Sequence, residues 1–330
     1  MLPGMTQPDL SIIIVSWNTR DVLDACLASL PAAVAGRATE VIVADNDSCD
    51  GTPEMLAGRH PAVTVLPTGG NLGFTRANNL ALARATGRRL LLLNPDTVCP
   101  PGALAALCDR LDALPDAAAV GCAQIDGHGT ATACWGDFPR PWHHWRALVD
   151  PAGAWLPRRW REAGLGRTAA SLRHHHGHRD PATGAVSVDY VKGSCLLMTR
   201  HALETVGHLD DRFFMYFEET DWCRRAAAAG LRVYLCPDVV ITHLEGLAAA
   251  PVSDFALRQF HHSLRLYITK HEGPSAVAAY RRALHAEYTL KSLLHRALPT
   301  PAHQSQATRY ATIATLQHQN DLSPNPPTRR

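Results

Sequence analysis

Residues 90–96 read LLLLNPD, so four leucines are followed at once by Asn94, a proline and Asp96. A short apolar run bounded by turn residues is typical of a strand that is covered on both faces of a sheet. Asp96 then lies just beyond the end of that strand. In sheets of this kind, ligands bind beyond the carboxyl ends of the strands. The stretch therefore predicts an α/β fold and one edge of a binding site.

The sequence on either side alternates apolar runs with segments of helical spacing. We predict strands at residues 11–16, 40–44, 63–66, 90–93 and 120–125, and helices at residues 21–30, 74–86 and 101–111. This alternation indicates a mostly parallel central sheet with helices on both faces. Polar residues follow three of the strands, namely Trp17 with Asn18, the acidic turn at 45–50, and Asn94 with Asp96.

Residues 126–186 interrupt this pattern, because they are rich in Gly, Pro, Trp, Arg and His. We predict that they form an insertion or lid within a main domain of residues 1–248. Regular structure should resume with strands at 187–199, 232–236 and 239–242 and a helix at 221–229. Helices with basic faces at 252–270 and 275–298 indicate a C-terminal helical extension over residues 249–322, and residues 323–330 are expected to be disordered.

Composition limits the classes of function. A formal net charge of +2 over 330 residues is too small to argue for nucleic-acid binding. The nine cysteines form no C-x-x-C pair, which favours reduced thiols. The chain shows no signal-peptide pattern at its start and no apolar run of about 18 residues. We therefore expect a cytoplasmic protein, with a peripheral contact at the inner face of the membrane left open.

Two acidic positions after strands suit ligand binding. Asp45 ends the strand at 40–44, where its carboxylate can accept a hydrogen bond from a donor such as the imide N–H of a pyrimidine. Asp47, Ser48 and Asp50 have a simpler role as turn or capping residues. Asp96 suits Mg²⁺ or Mn²⁺, since both metals prefer carboxylate and phosphate oxygens. The alternative for Asp96 is an ordinary turn residue.

A third group lies where the aromatic run at 213–217 is followed by Glu218 and Glu219. Acids at a helix start are favourable with the helix dipole alone. An apolar setting, however, raises a carboxyl pKa and suits it to proton abstraction. Asp221 and Arg224 are spaced to form an ion pair on one helical face. His243 ends a strand and could be structural or a ligand, while the histidines at 174–178 are expected in a solvated loop.

Four stretches in register resemble the family 2 glycosyltransferases, in particular the rhamnosyltransferase-like branch. They are SIIIVSWNTRDVLDACLASL at 11–30, VIVADNDSCDGT at 41–52, the segment from NLGF to LLLLNPDT at 71–97, and the segment from VKGS to THLEG at 191–246. The resemblance implies a Rossmann-like nucleotide-sugar-binding fold of the GT-A type. It implies inverting transfer of a sugar from a nucleotide-diphosphate-sugar, dTDP-rhamnose being the first expectation, to a glycan or lipid-linked glycan acceptor.

The resemblance also assigns roles to residues. Asp96 is similar to the last position of a metal-binding D-x-D whose first position here is Asn94, and His243 is similar to a residue that completes metal coordination. Glu219 matches the catalytic base, which is commonly Asp, so Glu218 stays as its rival. The residues implied at the nucleotide-sugar site are Ser16, Trp17, Asn18, Asp45, Asn71, Gly73, Phe74, Asn78 and Asn94.

The remaining expectations concern partners and rival functions. The insertion, with its Trp and Arg residues, and the basic C-terminal helices are interpreted as the acceptor side, with membrane contact or a homodimer contact as alternatives. An NAD-dependent enzyme would need G-x-G-x-x-G after the first strand, where residues 16–21 contain no glycine. A non-catalytic nucleotide-sugar-binding homologue and a nucleotidyltransferase remain as alternatives.

Overall fold

The computed structural model describes residues 7–140, 178–244, 253–298, 300–319 and 322. The predicted insertion therefore lies mostly outside the described residues, and the histidines at 174–176 and the tail at 323–330 lie outside them as well. The first half of the described chain has the predicted strand–helix alternation. Its elements are β1 (Leu10–Ser16), α1 (Arg20–Ala33), β2 (Thr39–Asp45), α2 (Thr52–Arg59), β3 (Thr64–Pro67), α3 (Gly73–Leu82), β4 (Arg89–Leu93), β5 (Thr97–Val98), α4 (Ala103–Asp112) and β6 (Ala117–Ile125).

The second half of the described chain adds short strands, three of which follow residue 178, and then a run of helices. Its elements are β7 (Ala131–Thr132), β8 (Trp135–Gly136), β9 (Val186–Val188), β10 (Tyr190–Val191), β11 (Cys195–Thr199), α5 (Arg200–Val206), α6 (Glu218–Ala228), β12 (Arg232–His243), α7 (Asp254–Glu272), α8 (Pro274–Arg296) and α9 (Pro301–Leu316). None of the helices in the described ranges is both long and apolar enough to cross a bilayer.

The central sheet has the order β3-β2-β1-β4-β11-β6-β12-β5. Strands β3, β2, β1 and β4 run parallel to one another, and β6 runs parallel to β12. Strand β11 is antiparallel to both β4 and β6 and joins the two halves. The prediction of an α/β fold with a mostly parallel sheet and C-terminal helices is confirmed.

Alternate residues of the strands supply the two layers of the core. In β1, Ile12 and Ile14 pack into the core on one face of the sheet, whereas Ile13 and Val15 pack into the core on the other. Both faces are therefore apolar, which is why the strands appear in the sequence as continuous apolar runs rather than as an alternating pattern.

Three predicted strands are divided differently in the structure. The predicted strand at 187–199 is three short strands, β9 to β11, because the chain turns at Asp189 and again before Cys195. The two strands predicted at 232–236 and 239–242 are the single strand β12, whose pairing with β6 shifts between Cys236 and Val240. Pro237 lies in this irregularity, where a residue without an N–H group is tolerated.

The topology brings the polar ends of distant strands together. Ser16 lies beside Asp45 at the carboxyl ends of β1 and β2. The end of β12 runs antiparallel to β5, which pairs His243 with Thr97. As a result His243 lies next to Asp96 although the two are far apart in the sequence.

Candidate active site

A cleft of about 610 Å³ opens at the carboxyl ends of β1 and β4. Two loops form one wall, because the backbone N–H of Asn18 donates to Ser48 Oγ at 2.9 Å and that of Arg20 donates to Asp50 Oδ2 at 2.9 Å. The residues that line this cleft, which we call the first cleft, are Asn18, Thr19, Arg20, Asp21, Val22, Asp50, Phe74, Asn94, Pro95, Asp96 and Leu244.

Asp45 lies beneath the loops of the first cleft and is 6% exposed. Its Oδ2 accepts a hydrogen bond from the Ser48 backbone N–H at 3.3 Å, while its Oδ1 is buried and has no partner among the described residues. Burial raises the pKa of this carboxyl. A buried acceptor without a donor is costly unless a ligand supplies one. The geometry therefore fits a hydrogen bond from a bound molecule.

Asp96, which lines the same cleft, forms a pair of potential metal ligands with His243. Asp96 Oδ1 is 3.1 Å from Nε2 of His243, and Asn94 Nδ2 is 3.3 Å from the same nitrogen. On its other side, Nδ1 of His243 is 3.1 Å from Gln124 Oε1. A ring that donates from Nδ1 to Gln124 directs its Nε2 lone pair towards Asp96, which is the arrangement of a metal-binding histidine and its supporting partner.

This pair is incomplete as a protein-only metal site. Within the described ranges, no group of three His, Cys, Asp or Glu residues could hold a metal ion. A carboxylate and an imidazole fit Mn²⁺ or Mg²⁺ when substrate phosphates supply further ligands. Asp96 and His243 were both predicted from the sequence, and the structure brings them together.

A second cleft of about 440 Å³ shares Phe74, Asn94 and Asp96 with the first. The two clefts therefore meet above the Asp96–His243 pair. The second cleft is further lined by Tyr190, Lys192, Gly193, Ser194, Met215, Tyr216, Phe217, Glu218, Glu219, Thr220, His243 and Phe260. Its aromatic wall includes Phe260, whose ring centroid lies 5.7 Å from Tyr216 and 5.1 Å from Phe217.

The two adjacent glutamates stand at the start of α6 and face the second cleft. The two preceding residues, Tyr216 and Phe217, have φ values of 70° and 68°, a conformation that costs non-glycine residues energy. The same backbone also presents the Phe214 carbonyl, which accepts from the Phe74 N–H at 2.8 Å. This strained loop fixes where the helix, and with it both carboxyl groups, enters the site.

The environments of Glu218 and Glu219 differ. Glu218 is 4% exposed, and its Oε2 has no hydrogen-bond partner among the described residues. Burial, and then the charge of Glu219, raise the pKa of Glu218 well above its ordinary value. Burial also raises the pKa of Glu219, but the positive charge of Lys192 opposes that rise. Of the two carboxyl groups, Glu219 is therefore the one whose ionised form is favoured by a nearby cation.

Asp221, one turn further along α6, is fully buried in an ion cluster. It lies 2.6 Å from Lys270 Nζ and 2.7 Å from His271 Nε2, both on α7, and 2.9 Å from Arg225 Nε. Burial alone would raise the pKa of Asp221, but its hydrogen bonds to His271 and Lys270 lower it overall. The predicted pairing with Arg224 is wrong, because Arg224 turns away to Glu272 at 2.7 Å.

Gly73 lies directly against the backbone of Phe214. It has a φ of +80°, and a Cβ placed there would lie 2.4 Å from the Phe214 carbonyl oxygen. Only glycine allows both the backbone conformation and the contact. Asn71 supports this turn, since its Oδ1 accepts from the Gly73 N–H at 3.0 Å.

Six of the nine residues predicted at the nucleotide-sugar site are absent from the linings of both clefts, namely Ser16, Trp17, Asp45, Asn71, Gly73 and Asn78. Ser16 is fully buried and its hydroxyl bonds to that of Thr19 at 2.8 Å. Asn78 is 1% exposed and its amide donates to the Phe74 carbonyl at 2.9 Å. Trp17 is half-buried and absent from both linings. In the described chain, Ser16 and Asn78 support the backbone around the site.

The sequence analysis missed several residues that the structure places at the site. Gln124 is the penultimate residue of β6, so a polar residue near the end of an apolar strand was a usable signal. Lys192 lies within the matched VKGS segment but was assigned no role. Phe260 comes from α7, and nothing in the sequence of a basic amphipathic helix connects it with residues 216–219.

The sequence is similar to several known glycosyltransferases. The model of the glycosyltransferase-like family 2 matches residues 8–288. The N-acetylglucosaminyl-diphospho-decaprenol L-rhamnosyltransferase of Mycobacterium tuberculosis is 29% identical over 300 residues, which cover 86% of this chain and 92% of that protein. The low-salt glycan biosynthesis hexosyltransferase Agl10 of Haloferax volcanii is 24% identical over 239 residues, covering 71% and 67% of the two chains.

The fold is also shared with solved structures. The mannosyltransferase PcManGT from Pyrobaculum calidifontis, in complex with GDP-Man and Mn²⁺, matches with a TM-score of 0.52 at 20% identity. The match covers 95% of this chain and 85% of that one. At this identity the likeness shows a common GT-A fold.

Proposed function

Because the chain belongs to the glycosyltransferase-like family 2 and is thus a glycosyltransferase, we propose that it moves a sugar from a nucleotide-diphosphate-sugar to a hydroxyl of a glycan or lipid-linked glycan, with inversion at the anomeric carbon. The observation that carries this proposal is the meeting of two clefts at Asp96. One cleft offers a base-binding carboxylate and a metal pair. The other offers a carboxylate pair and an aromatic wall.

The first cleft is the donor side. The unpartnered Oδ1 of Asp45 accepts a hydrogen bond from the nucleobase, for which an imide N–H is the matching donor. Asp96 and His243 would hold Mn²⁺ or Mg²⁺, with the diphosphate supplying the missing ligands. A metal bound there would offset the negative charge that develops on the leaving nucleoside diphosphate. dTDP-rhamnose is our first donor, because the mycobacterial relative is named as an L-rhamnosyltransferase.

The second cleft is the acceptor side. Glu219 takes the proton of the acceptor hydroxyl as that oxygen forms its bond to the anomeric carbon, while the bond from that carbon to the phosphate oxygen breaks. Glu219 suits this role better than Glu218, because Lys192 favours the ionised form of Glu219, whereas burial and the charge of Glu219 disfavour the ionised form of Glu218. The displacement occurs in one step through an oxocarbenium-like state, so no nucleophilic side chain is required.

The acceptor is expected to resemble that of the mycobacterial relative, whose name specifies an N-acetylglucosaminyl diphospho-lipid. The rings of Tyr216, Phe217 and Phe260 offer a stacking surface for a sugar, and Lys192 offers a cation near it. Phe260 belongs to α7, so the C-terminal helices would contribute to acceptor binding and not only to packing.

A panel of nucleotide-sugars tests the proposal. The full chain is incubated with each donor and Mn²⁺ or Mg²⁺, with and without N-acetylglucosaminyl diphosphate carrying a short alkyl chain, and nucleotide release is measured. We expect one donor to be consumed faster when the acceptor is present, and the anomeric configuration of the product, measured by NMR, to be opposite to that of the donor. Retained configuration would contradict single displacement, and no release from any donor would contradict the proposed activity.

A further inference from the structure

A basic cavity of about 360 Å³ lies among the C-terminal helices, apart from the two clefts described above. It is lined by Ala278, Arg281, Arg282, His285, Gln317 and His318, so that none of its described lining residues is acidic. Residues 253–319, which include the C-terminal helices, contain eight Lys or Arg residues but three Asp or Glu residues.

Those three carboxylates are already engaged elsewhere. Asp254 pairs with Arg258 at 2.6 Å, Glu272 pairs with Arg224 at 2.7 Å, and Glu287 pairs with Lys291. Their charges therefore do not neutralise the arginines of the basic cavity. Among the described residues, the cavity therefore keeps an unbalanced positive charge that an anion would neutralise.

The arginines of this region are held in place by backbone oxygens. Arg281 Nε donates to the Gln317 carbonyl at 2.6 Å, and Arg265 donates to the carbonyls of Leu316 and Gln319 at 2.8 and 2.6 Å. Burial and the charge of Arg281 lower the pKa of Arg265 to about 10. Arg282 is exposed and forms no ion pair with any residue in the described ranges. Arg281 is thus held in position within the basic cavity, and the exposed Arg282 lies beside it.

Exposed leucines continue along the same face of α8. Arg282, Leu290 and Leu293 are spaced by eight and three residues, which places them on one side of a helix. Leu290 is 37% exposed, Leu293 is 57% exposed, and Leu298 just beyond the helix is 44% exposed. We call this face, with the basic cavity at one end and the leucines at the other, the α8 face.

We propose that the α8 face docks on an anionic lipid membrane, with headgroup phosphates in the basic cavity and the exposed leucines at the acyl boundary. An amphipathic helix that combines apolar residues with Lys and Arg binds lipid interfaces in this way. A neutral partner would leave the charge of the cavity uncompensated, and a second copy of the chain would place like charges against one another. Charge complementarity therefore favours an anionic surface as the occupant.

A vesicle-binding assay on the full chain tests this proposal independently of sugar transfer. Vesicles of phosphatidylcholine alone are compared in a sedimentation assay with vesicles of phosphatidylcholine and phosphatidylglycerol in equal amounts. We expect binding to the anionic vesicles that weakens as salt is added, and little binding to the neutral ones. Equal binding to both, or binding to neither, would overturn the proposal.

A matched pair of double variants locates the surface. R282E/L293S should lower the partition onto anionic vesicles by roughly tenfold or more, because it reverses one charge and removes one exposed leucine. R76E/L80S makes the same change on α3, where both residues are also exposed, and should bind as the unmodified chain does. Circular dichroism checks that both variants fold. Equal losses in the two variants, or no loss in R282E/L293S, would contradict the α8 face as the docking site.

Discussion

Replacing Asp221 by Asn should destabilise the protein far more than the size of the change suggests. The substitution keeps the shape of the side chain and removes its charge at a fully buried position. It leaves Lys270, His271 and Arg225 without the carboxylate that all three contact. Breaking a buried charge cluster by removing one member costs about 3–5 kcal/mol.

The structure places the expected cost at the lower end of this range. Lys270 keeps a second carboxylate, Asp210, at 2.7 Å, and Arg225 keeps hydrogen bonds to two backbone carbonyls at 2.6 and 2.8 Å. Of the three partners, His271 loses the most, because Asp221 is the carboxylate that its Nε2 contacts. We therefore expect Asp221→Asn to lower the free energy of unfolding by about 3 kcal/mol, a large share of the 5–15 kcal/mol that is typical of a domain.

Urea denaturation followed by fluorescence measures this loss, and Asp254→Asn is the control. Asp254 pairs with an arginine four residues later on a helix, as Asp221 does, but its side chain is 66% exposed. An exposed pair of this kind contributes about 0.3–0.5 kcal/mol. A loss below about 1 kcal/mol in Asp221→Asn, or equal losses in the two variants, would refute the account of the buried cluster.

The pH dependence of the same loss gives a second check. The folded-state pKa of Asp221 is lowered, so its contribution to stability is fully present above the unfolded value of about 3.9 and disappears as the pH falls through the folded value. The difference in stability between the unmodified chain and Asp221→Asn should therefore shrink as the solution is acidified below about pH 4. A difference that grows on acidification would contradict the sign of the effect.

Further predictions concern catalysis and acceptor binding. Glu219→Gln should lower kcat by about 10²- to 10⁴-fold at unchanged donor affinity, whereas Glu218→Gln should lower kcat much less. A larger loss of kcat in Glu218→Gln would identify Glu218 as the base. Because burial raises the pKa of Glu219, kcat should fall on acidification at a pH above the ordinary glutamate pKa of about 4.3. Lys192→Met should move that fall to higher pH, because the variant loses the positive charge that favours ionised Glu219. A pH profile that does not move in Lys192→Met would contradict the effect of Lys192 on Glu219. Phe260→Ala should raise the acceptor KM by about two- to tenfold. Phe255→Ala is the control and should leave the acceptor KM unchanged, because the Phe255 ring packs on Phe214 outside the second cleft. A change in the donor KM instead of the acceptor KM would contradict an acceptor role for Phe260.

Much of the fold follows from the sequence because the strands are buried on both faces. The leucines at 90–93 and the isoleucines of β1 form runs that only a sheet covered on both sides accommodates, and the helices between them have regular apolar spacing. The course of residues 187–199 could not be predicted in this way. Its apolar residues are interrupted by Asp189 and by residues 192–194, but the turns there depend on contacts with α6 and with Phe74, which are distant in the sequence.

The site was predictable where it depends on strand ends. Asp45, Asp96 and His243 each end or follow a strand, and a sheet edge brings such positions together. The ion-pair partners of the α6 residues were harder to predict from the sequence. Asp221 has candidates at three and four residues along its own helix, and only the packing of α7 shows that Arg225, with Lys270 and His271, takes the contact.

The central claim is that the Asp96–His243 pair makes donor binding dependent on a divalent metal. Calorimetry of dTDP binding with and without Mn²⁺, on the unmodified chain and on Asp96→Ala, tests it most directly. We expect Mn²⁺ to strengthen dTDP binding to the unmodified chain and to have no such effect on Asp96→Ala, since the variant lacks the carboxylate ligand. An unchanged Mn²⁺-dependent affinity in Asp96→Ala would contradict the claim.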